Sequence, residues 1–345
     1  MFEAFSISVK DDKNVLAVGR FPKQEKGLLC WTGSSLVIRA RLREWTADIE
    51  ADWTDNTPYM GVLVDGVPVA RFALGSGKNH YTLLTGMDET IEHELTLFRD
   101  TQPMSGEDRL MVRVGEMTVA GELMPVPEKT LIEMIGDSLT TGEGTVGPKN
   151  GMEWRSIWIS GMNSWGQALC HELDARGEWV SQSGWGIYTG WDNNPSAVLS
   201  AIYESAAAHS PYASIRHDFS SHPVKAVVVN LGTNDSNALK ALSEKDQPER
   251  LERIKEATVS FLEQIHRCRP GTPVLFVYGM CGHDLSGCLR SAVQKDAETA
   301  ASKTAFLELP VCPEEDLGSR GHPGASFQRR CGLLIAEKLR QMKVF

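Results

Sequence analysis

A short apolar segment, residues 131–135, limits the possible folds of this chain more than any other feature of its sequence. It lies between the proline-rich residues 125–127 and Gly136, and such a run is typical of a buried strand in a parallel sheet. Asp137 and Ser138 follow at the end of this predicted strand, where open α/β sheets bind their ligands. The same two residues also favour a turn and a helix N-cap, so the segment alone leaves a structural and a chemical interpretation open.

The longer segment that this strand begins, residues 130–345, alternates between strand patterns and helix patterns. We predict a parallel sheet with right-handed crossovers for it, because strands that alternate with helices pair in this way. The predicted strands after the first include 226–229, 273–278 and 304–309, and the clearest predicted helices are 251–265 and 326–342.

Residues 1–124 show a different pattern, with many short strands and no long segment of helical spacing. Asp65 and Gly66 stand between two apolar segments and predict a tight hairpin, because type I′ turns need positive φ at both central residues. This pattern predicts a β-sandwich or jelly roll, which the stiff linker 125–129 joins to the α/β domain at 130–345. The predicted strands are 36–42, 59–64, 67–74, 94–98 and 110–114.

Charge, hydropathy and cysteine usage argue against several kinds of partner and compartment. The net charge of the 345 residues is −10 and no basic block occurs, which disfavours nucleic acids and anionic membrane surfaces. No apolar run is long enough to span a bilayer. Seven scattered cysteines without a C-x-x-C pair are typical of a reducing compartment. Because no signal peptide is visible, we expect a cytoplasmic protein, or a secreted one if a leader has been removed.

Three polar residues follow predicted strands of the α/β domain and could act together. Ser138 offers a hydroxyl nucleophile that needs a neighbouring base, and a histidine such as His322 is the usual base near neutral pH. The Asn234 side chain can donate to a developing oxyanion, as can the backbone N–H groups of Ser138 and Gly184. These residue types predict serine-dependent acyl transfer with no metal and no cofactor.

The same residues lie in four sequence blocks that resemble those of the GDSL/SGNH hydrolase superfamily. The blocks are Gly-Asp-Ser-Leu at 136–139, Ser-Gly at 183–184, Gly-Thr-Asn-Asp at 232–235 and His-Pro at 322–323. Their order and spacing match over residues 130–345, whereas the G-x-S-x-G elbow of α/β-hydrolases is absent. The resemblance implies a flavodoxin-like three-layer fold, a Ser138–His322 pair and an oxyanion hole formed by Ser138, Gly184 and Asn234.

Together with the β-rich N-terminal domain, these blocks resemble carbohydrate esterase family 2. Residues 31–34, 64–66 and 92–94 are similar to features of the jelly-roll module in that family. The resemblance implies a carboxylic ester hydrolase that removes O-acetyl groups from plant polysaccharides or oligosaccharides such as xylan and glucomannan, as an acetylxylan esterase does. Two alternatives stay open: a GDSL lipase or thioesterase for longer acyl chains, and a carbohydrate-binding protein with vestigial catalysis.

One departure from the superfamily concerns the acid that usually precedes the histidine. An Asp stands three residues before it, or two in some members, but Ser319 and Arg320 occupy these positions here. Some members of the family work as a Ser–His dyad with a backbone carbonyl as the acceptor, and we interpret Ser138 and His322 as such a dyad. Asp316 is the alternative third member, if its loop folds back.

Tryptophans crowd the loops between the serine block and the residues that follow the glycine block. Because indole faces stack on sugar rings, we predict that Trp185 and Trp191 bind substrate; the alternative is that they are core residues. His283 is the nearest rival of His322, since it also follows a predicted strand. The adjacent Cys281 belongs to no usual zinc spacing, so no metal site is predicted.

Overall fold

A computed structural model describes residues 4–10, 12–22, 25–107, 109, 111–209, 212–299 and 303–345. The chain packs as two units, which we call the β unit and the α/β unit. Two short segments that follow residue 130 in the sequence pack with the β unit rather than with the α/β unit. The β unit is Met1–Lys129, Arg155–Ile157 and Ser205–His217; the α/β unit is Thr130–Trp154, Trp158–Glu204 and Asp218–Phe345.

The β unit contains an antiparallel sheet. Its strands are β1 (Ala4–Ser8), β2 (Leu16–Val18), β3 (Ser35–Asp52), β4 (Tyr59–Val64), β5 (Val67–Ala73), β6 (Gly77–Thr85), β7 (His93–Arg99) and β8 (Met111–Met124). The order is β1-β8-β3-β7-β4-β5, and β2 and β6 also pair with β3. The predicted hairpin is confirmed, since β4 and β5 pair across Asp65 and Gly66, whose φ angles are 51° and 79°.

The 18 residues of β3 organise the core of the β unit, because they pair with β2, β6, β7 and β8. Leu36, Ile38, Trp45 and Ile49 on this strand are completely buried, and each such side chain contributes about 1.5–3 kcal/mol to stability. The strand predicted at 36–42 is therefore only the first part of a much longer one. The strand predicted at 110–114 appears as the start of β8, and Leu110 itself lies outside the described residues.

The α/β unit contains the predicted parallel sheet. Its strands are β9 (Leu131–Gly136), β10 (Arg176–Ser181), β11 (Ala226–Asn230), β12 (Val274–Tyr278) and β13 (Thr304–Glu308). They are all parallel, in the order β10-β9-β11-β12-β13, so the prediction of a parallel sheet is confirmed. The chain leaves β9 towards β10 and then returns to the other side of β9 with β11. The end of β9 is thus the point where the strand order reverses, at which such sheets form their ligand crevice.

Helices connect these strands. They are α1 (Ser138–Thr141), α2 (Trp165–Glu172), α3 (Leu199–Ile202), α4 (Thr233–Lys240), α5 (Gln247–Cys268), α6 (Ser286–Thr299) and α7 (Ala325–Gln341). The predicted helices 251–265 and 326–342 appear as α5 and α7, whereas α6 was not predicted. Within the described ranges, no helix combines the length and the hydropathy that crossing a bilayer requires.

A buried ion network crosses the sheet of the α/β unit. Glu133 in β9 and Glu178 in β10 are opposite each other in register, and both are completely buried. Arg269, which follows α5, donates from Nη2 to Glu133 at 3.1 Å and to Glu178 at 3.0 Å. The hydroxyl of Tyr203 donates to Glu133 at 3.1 Å. The network explains how an acidic residue is accommodated in the apolar segment 131–135.

Candidate active site

Ser138 lies at the carboxyl end of β9, as the first residue of α1. A Cβ on Gly136 would lie 2.7 Å from the carbonyl oxygen of Asn230, so the close approach of β11 requires glycine there. Asp137 is the N-cap of α1, and its Oδ1 accepts from the N–H of Leu139 at 3.0 Å. The N–H of Ser138 has no acceptor within its own helix and can therefore serve as a donor at the site.

His322 lies on the loop between β13 and α7, and its ring reaches the serine. The distance from His322 Nε2 to Ser138 Oγ is 2.9 Å. On the other side of the ring, Nδ1 is 3.1 Å from the carbonyl oxygen of Arg320. Because a carbonyl can only accept, Nδ1 carries the proton and donates it to this oxygen. Nε2 is then left with a lone pair that can accept the hydroxyl proton of Ser138.

The loop after α1 holds the histidine loop in place. Gly144 accepts at its carbonyl from the N–H of Ser319 at 3.1 Å, and Gly151 accepts from the N–H of Arg320 at 2.8 Å. Gly144 has a φ of +77°, and a Cβ there would lie 2.7 Å from the Cβ of His322. Glycine at this position lets the two loops approach closely enough for the ring to reach Ser138.

Asn234 and Asp235, in the first turn of α4, form hydrogen bonds to the residues that follow the glycine block. The carboxylate of Asp235 accepts from the N–H groups of Ile187, Tyr188 and Thr189 at 2.9, 2.8 and 3.2 Å. Nδ2 of Asn234 donates one hydrogen to the carbonyl of Trp185 at 2.8 Å and lies 3.4 Å from Asp137 Oδ2. The first contact fixes the plane of the amide, and the other hydrogen of Nδ2 is engaged only by the longer second contact.

These groups open onto one pocket of about 500 Å³. Ser138, Gly184, Asn234 and His322 all line it, so the structure brings together the four residues that the blocks singled out. Gly184 has a φ of +81°, a left-handed conformation that favours glycine. Trp191 lines the same pocket and is 62% exposed, which leaves its indole face accessible to a ligand.

Burial shifts the ionisation of the two aspartates behind the serine. Burial raises the pKa of Asp137 to about 7, and the nearby carboxylates of Asp235 and Glu143 also raise it, while the hydrogen bond from Leu139 lowers it. Burial likewise raises the pKa of Asp235, against backbone hydrogen bonds, including those from Ile187, Tyr188 and Thr189, that lower it. Both residues hold backbone groups in place through these bonds, so their part in the site is structural.

The structure also places the other candidate residues that the sequence offered. Asp316 does not complete a triad: its carboxylate forms an ion pair with Arg330, and the imidazole of His322 has a carbonyl partner instead. Trp185 is half-buried and holds Asn234 through its backbone carbonyl, whereas its neighbour Trp191 faces the pocket. His283 Nε2 lies 2.8 Å from the carbonyl oxygen of Leu309, and His283 is not among the residues that line the pocket of Ser138. Among the residues that the structure describes, no group of three or more His, Cys, Asp or Glu could hold a metal.

Two charged residues of the pocket were not predicted from the sequence. Glu143 and Arg320 line it beside His322, and Trp154, one of the tryptophans of the crowded loops, lines it as well. In the sequence, Arg320 stands out only because it occupies a position where related chains have an acid. Glu143 lies five residues after Ser138, and this short spacing after the serine block is the one signal that could have identified it.

The sequence also matches the model of a known protein family. Residues 132–303 match the family model described as GDSL-like lipase/acylhydrolase. The predicted resemblance to the GDSL/SGNH hydrolases is confirmed. Three of the four blocks of these hydrolases lie inside the matched segment, and the histidine block at 322–323 follows it.

Similar proteins extend the GDSL resemblance beyond the matched segment. The chain is 26% identical over 340 residues to the cellulase/esterase CelE of Acetivibrio thermocellus. The match covers 96% of this chain but only 39% of the length of CelE. An acetyl xylan esterase from the rumen bacterium Butyrivibrio proteoclasticus is 25% identical, with a TM-score of 0.94 over 99% of both chains. A family two carbohydrate esterase from Clostridium thermocellum, solved with cellohexaose, shares the fold at 21% identity, with a TM-score of 0.79 over 96% of this chain and 100% of that chain.

Proposed function

We propose that this protein is a carbohydrate O-acetyl esterase that removes acetyl groups from plant polysaccharides or oligosaccharides such as xylan and glucomannan. The observation that carries the proposal is the 2.9 Å contact between Ser138 Oγ and His322 Nε2, at the carboxyl ends of the parallel strands. The accessible indole of Trp191 in the same pocket supports a sugar as the alcohol part of the ester. Likeness to an acetyl xylan esterase over 99% of both chains supports acetyl as the acyl part.

The first half of the reaction forms an acetyl-enzyme. His322 Nε2 takes the proton of Ser138 as Oγ attacks the acetyl carbonyl carbon. The oxyanion of the tetrahedral intermediate accepts from the N–H groups of Ser138 and Gly184 and from Nδ2 of Asn234. The bond to the sugar oxygen then breaks, and this oxygen leaves with the proton from Nε2.

The second half releases acetate. A water molecule loses a proton to His322 Nε2 as its oxygen attacks the acetyl-serine carbonyl, and the same donors hold the oxyanion. Collapse returns the proton to Ser138 Oγ. Throughout both halves the carbonyl of Arg320 keeps Nδ1 protonated, so His322 and Ser138 act as a dyad without a carboxylate on Nδ1.

Substitution of the serine tests the mechanism. Ser138→Ala should lower kcat on nitrophenyl acetate and on acetylated xylo-oligosaccharides by at least about 10⁴-fold, since it removes the nucleophile. Ser183→Ala is the matched control, because Ser183 lines the same pocket and its hydroxyl lies 3.2 Å from that of Thr141 rather than against the imidazole. Turnover by Ser138→Ala at the rate of the Ser183→Ala control would refute the assignment.

Substrate series test the specificity. Rates on nitrophenyl acetate, propionate, butyrate and octanoate should fall steeply with chain length; a rise would favour a lipase or thioesterase. Acetate release from acetylated xylan and glucomannan oligosaccharides, with the sites mapped by NMR, would identify the preferred sugar. Glycan binding without acetate release from either would favour a carbohydrate-binding protein.

The finer organisation of the chain belongs to the same proposal. We assign residues 1–124, which carry the antiparallel sheet, to the jelly-roll type, as an accessory domain that the linker 125–129 joins to the catalytic domain 130–345. The likeness to carbohydrate esterase structures over almost the whole chain supports this assignment. Neither nucleic acid nor membrane is a proposed partner, given a net charge of −10, and a cytoplasmic location remains a prediction.

A further inference from the structure

Two charged side chains lie beside the imidazole of His322, opposite in sign and bonded to each other. Arg320 donates from Nε to Oε1 of Glu143 at 2.9 Å. The same Oε1 lies 3.9 Å from His322 Nε2, which is the nitrogen that faces Ser138. Glu143 is only 4% exposed, although it lines the pocket together with Arg320.

Hydrogen bonds hold both the backbone and the side chain of Arg320. Its N–H donates to the carbonyl of Gly151 at 2.8 Å, and Nη1 donates to the carbonyl of Met152 at 3.3 Å. Its φ is +57°, a left-handed conformation that costs free energy in a residue other than glycine. In this conformation the carbonyl faces Nδ1 of His322 while the guanidinium reaches Glu143.

We infer that Glu143, positioned by Arg320, supplies the negative charge that an Asp before the histidine would otherwise supply, and that it does so from the Nε2 side of the ring. The inference rests on the proposed esterase function. When His322 takes the proton of Ser138 it becomes a cation, and a buried carboxylate 3.9 Å away stabilises that cation. Glu143 is a positioning residue and does not accept the proton itself.

Arg320 balances this carboxylate. A bare carboxylate next to the serine would oppose the oxyanion that forms when Oγ attacks, because like charges repel in a site of low dielectric. The bond from Arg320 Nε offsets part of that charge and fixes Oε1 on the histidine side of the pocket. The pair therefore favours the imidazolium while limiting its effect on the oxyanion.

Other titratable groups near the ring do not duplicate this role. Cys281 lines the pocket from the loop after β12, and a thiol with its usual pKa of about 8.5 is mostly protonated and uncharged near neutral pH. Asp137 lies behind Ser138, where burial raises its pKa to about 7. Asp316 is neutralised by Arg330. Glu143 and Arg320 are thus the charged pair that faces the ring from the pocket.

Two neutralising variants test the inference through opposite shifts in pH dependence. In Glu143→Gln the cation of His322 loses its stabilising carboxylate, so kcat on nitrophenyl acetate should fall about 10- to 100-fold with KM nearly unchanged. The acid limb of its pH profile should move to lower pH. In Arg320→Gln the carboxylate is no longer offset, so the acid limb should move to higher pH. A purely structural role of the pair would not give shifts of opposite sign.

A matched control and a second readout separate this inference from the proposed function. Arg330→Gln removes an arginine from another ion pair of the same region, that with Asp316, and should leave both kcat and the pH profile unchanged. NMR titration of the His322 ring in the wild type and in Glu143→Gln reports on the pair even if the wild type hydrolyses no ester. A ring that titrates at the same pH in both proteins, or a Glu143→Gln variant that raises KM without lowering kcat, would overturn the inference.

Discussion

Asp137 shows how one residue of this site is subject to opposing requirements. As the N-cap of α1 it accepts from the N–H of Leu139, which favours the carboxylate form. It is also completely buried, beside the carboxylates of Asp235 and Glu143, which favours the neutral form. The second effect is larger, because the pKa of Asp137 rises to about 7 in the folded protein.

This balance predicts a stability that depends on pH. A carboxyl whose pKa is raised on folding stabilises the native state fully below its unfolded pKa, and this contribution is lost as the pH rises through about 7. Between pH 5 and pH 8 the free energy of unfolding of the wild type should therefore fall by about 3 kcal/mol relative to that of Asp137→Asn. Urea unfolding of both proteins across this range measures the difference. If the free energies of unfolding of the two proteins changed with pH in parallel, this would contradict the prediction, because the contributions of all other titratable groups cancel in the comparison.

The chemistry-bearing residues of the site could be identified at this scale without a structure. Ser138, Gly184, Asn234 and His322 each lie in a short block whose residue types suit one step of acyl transfer. The acceptor for Nδ1 could be expected only as a backbone carbonyl of some residue. That it belongs to Arg320 depends on one φ angle of +57°, which no local sequence pattern specifies.

At the scale of elements, the α/β sheet is held together by charge as well as by apolar packing. Arg269 lies where α5 ends, and its guanidinium joins the two buried carboxylates of β9 and β10, Glu133 and Glu178. Since these strands are neighbours, the two carboxylates would repel each other without the arginine. The network therefore couples the end of a helix to the register of two strands.

Arg269→Met should reveal this coupling as a loss of stability. The variant leaves two buried carboxylates without their cation, which typically costs about 3–5 kcal/mol. Arg267→Met is the control: Arg267 lies on the exposed face of α5, and the same substitution there should change stability by less than about 0.5 kcal/mol. Urea unfolding monitored by circular dichroism compares the two. An Arg269→Met protein as stable as its control would show that the network contributes no net stability.

The elements themselves were predictable to different degrees. The buried strands β9, β11 and β12 could be located because each is a mainly apolar run bounded by turn residues. The strand β6 and the helix α6 were not predicted, since β6 is largely exposed and the apolar stripe of α6 is short. Elements that bury little of one face leave a weak periodic signal.

At the scale of the whole chain, no disulfide links any of the seven cysteines, all of which lie in the described residues. Burial raises the pKa of Cys170 and Cys331 to about 12, so these thiols stay protonated near neutral pH.

Reduction should accordingly leave the stability of the chain unchanged. The melting temperature with and without dithiothreitol should agree within about 1 °C, because losing a native disulfide typically costs about 2–5 kcal/mol and lowers Tm by several degrees. Calorimetric scans measure this, and a thiol titration of the denatured protein should find all seven groups. A fall of several degrees on reduction would contradict the expectation.

The amino-acid sequence by itself determined the two kinds of domain and the four blocks of the site, because buried strands, hairpin turns and strand-end motifs are encoded over a few consecutive residues. Only the tertiary structure decided which charges surround the imidazole. Glu143 and His322 are far apart in the sequence, and they meet because the loop after α1 packs against the loop before α7. Such a meeting depends on how two irregular loops fit together, and periodicity carries no information about it.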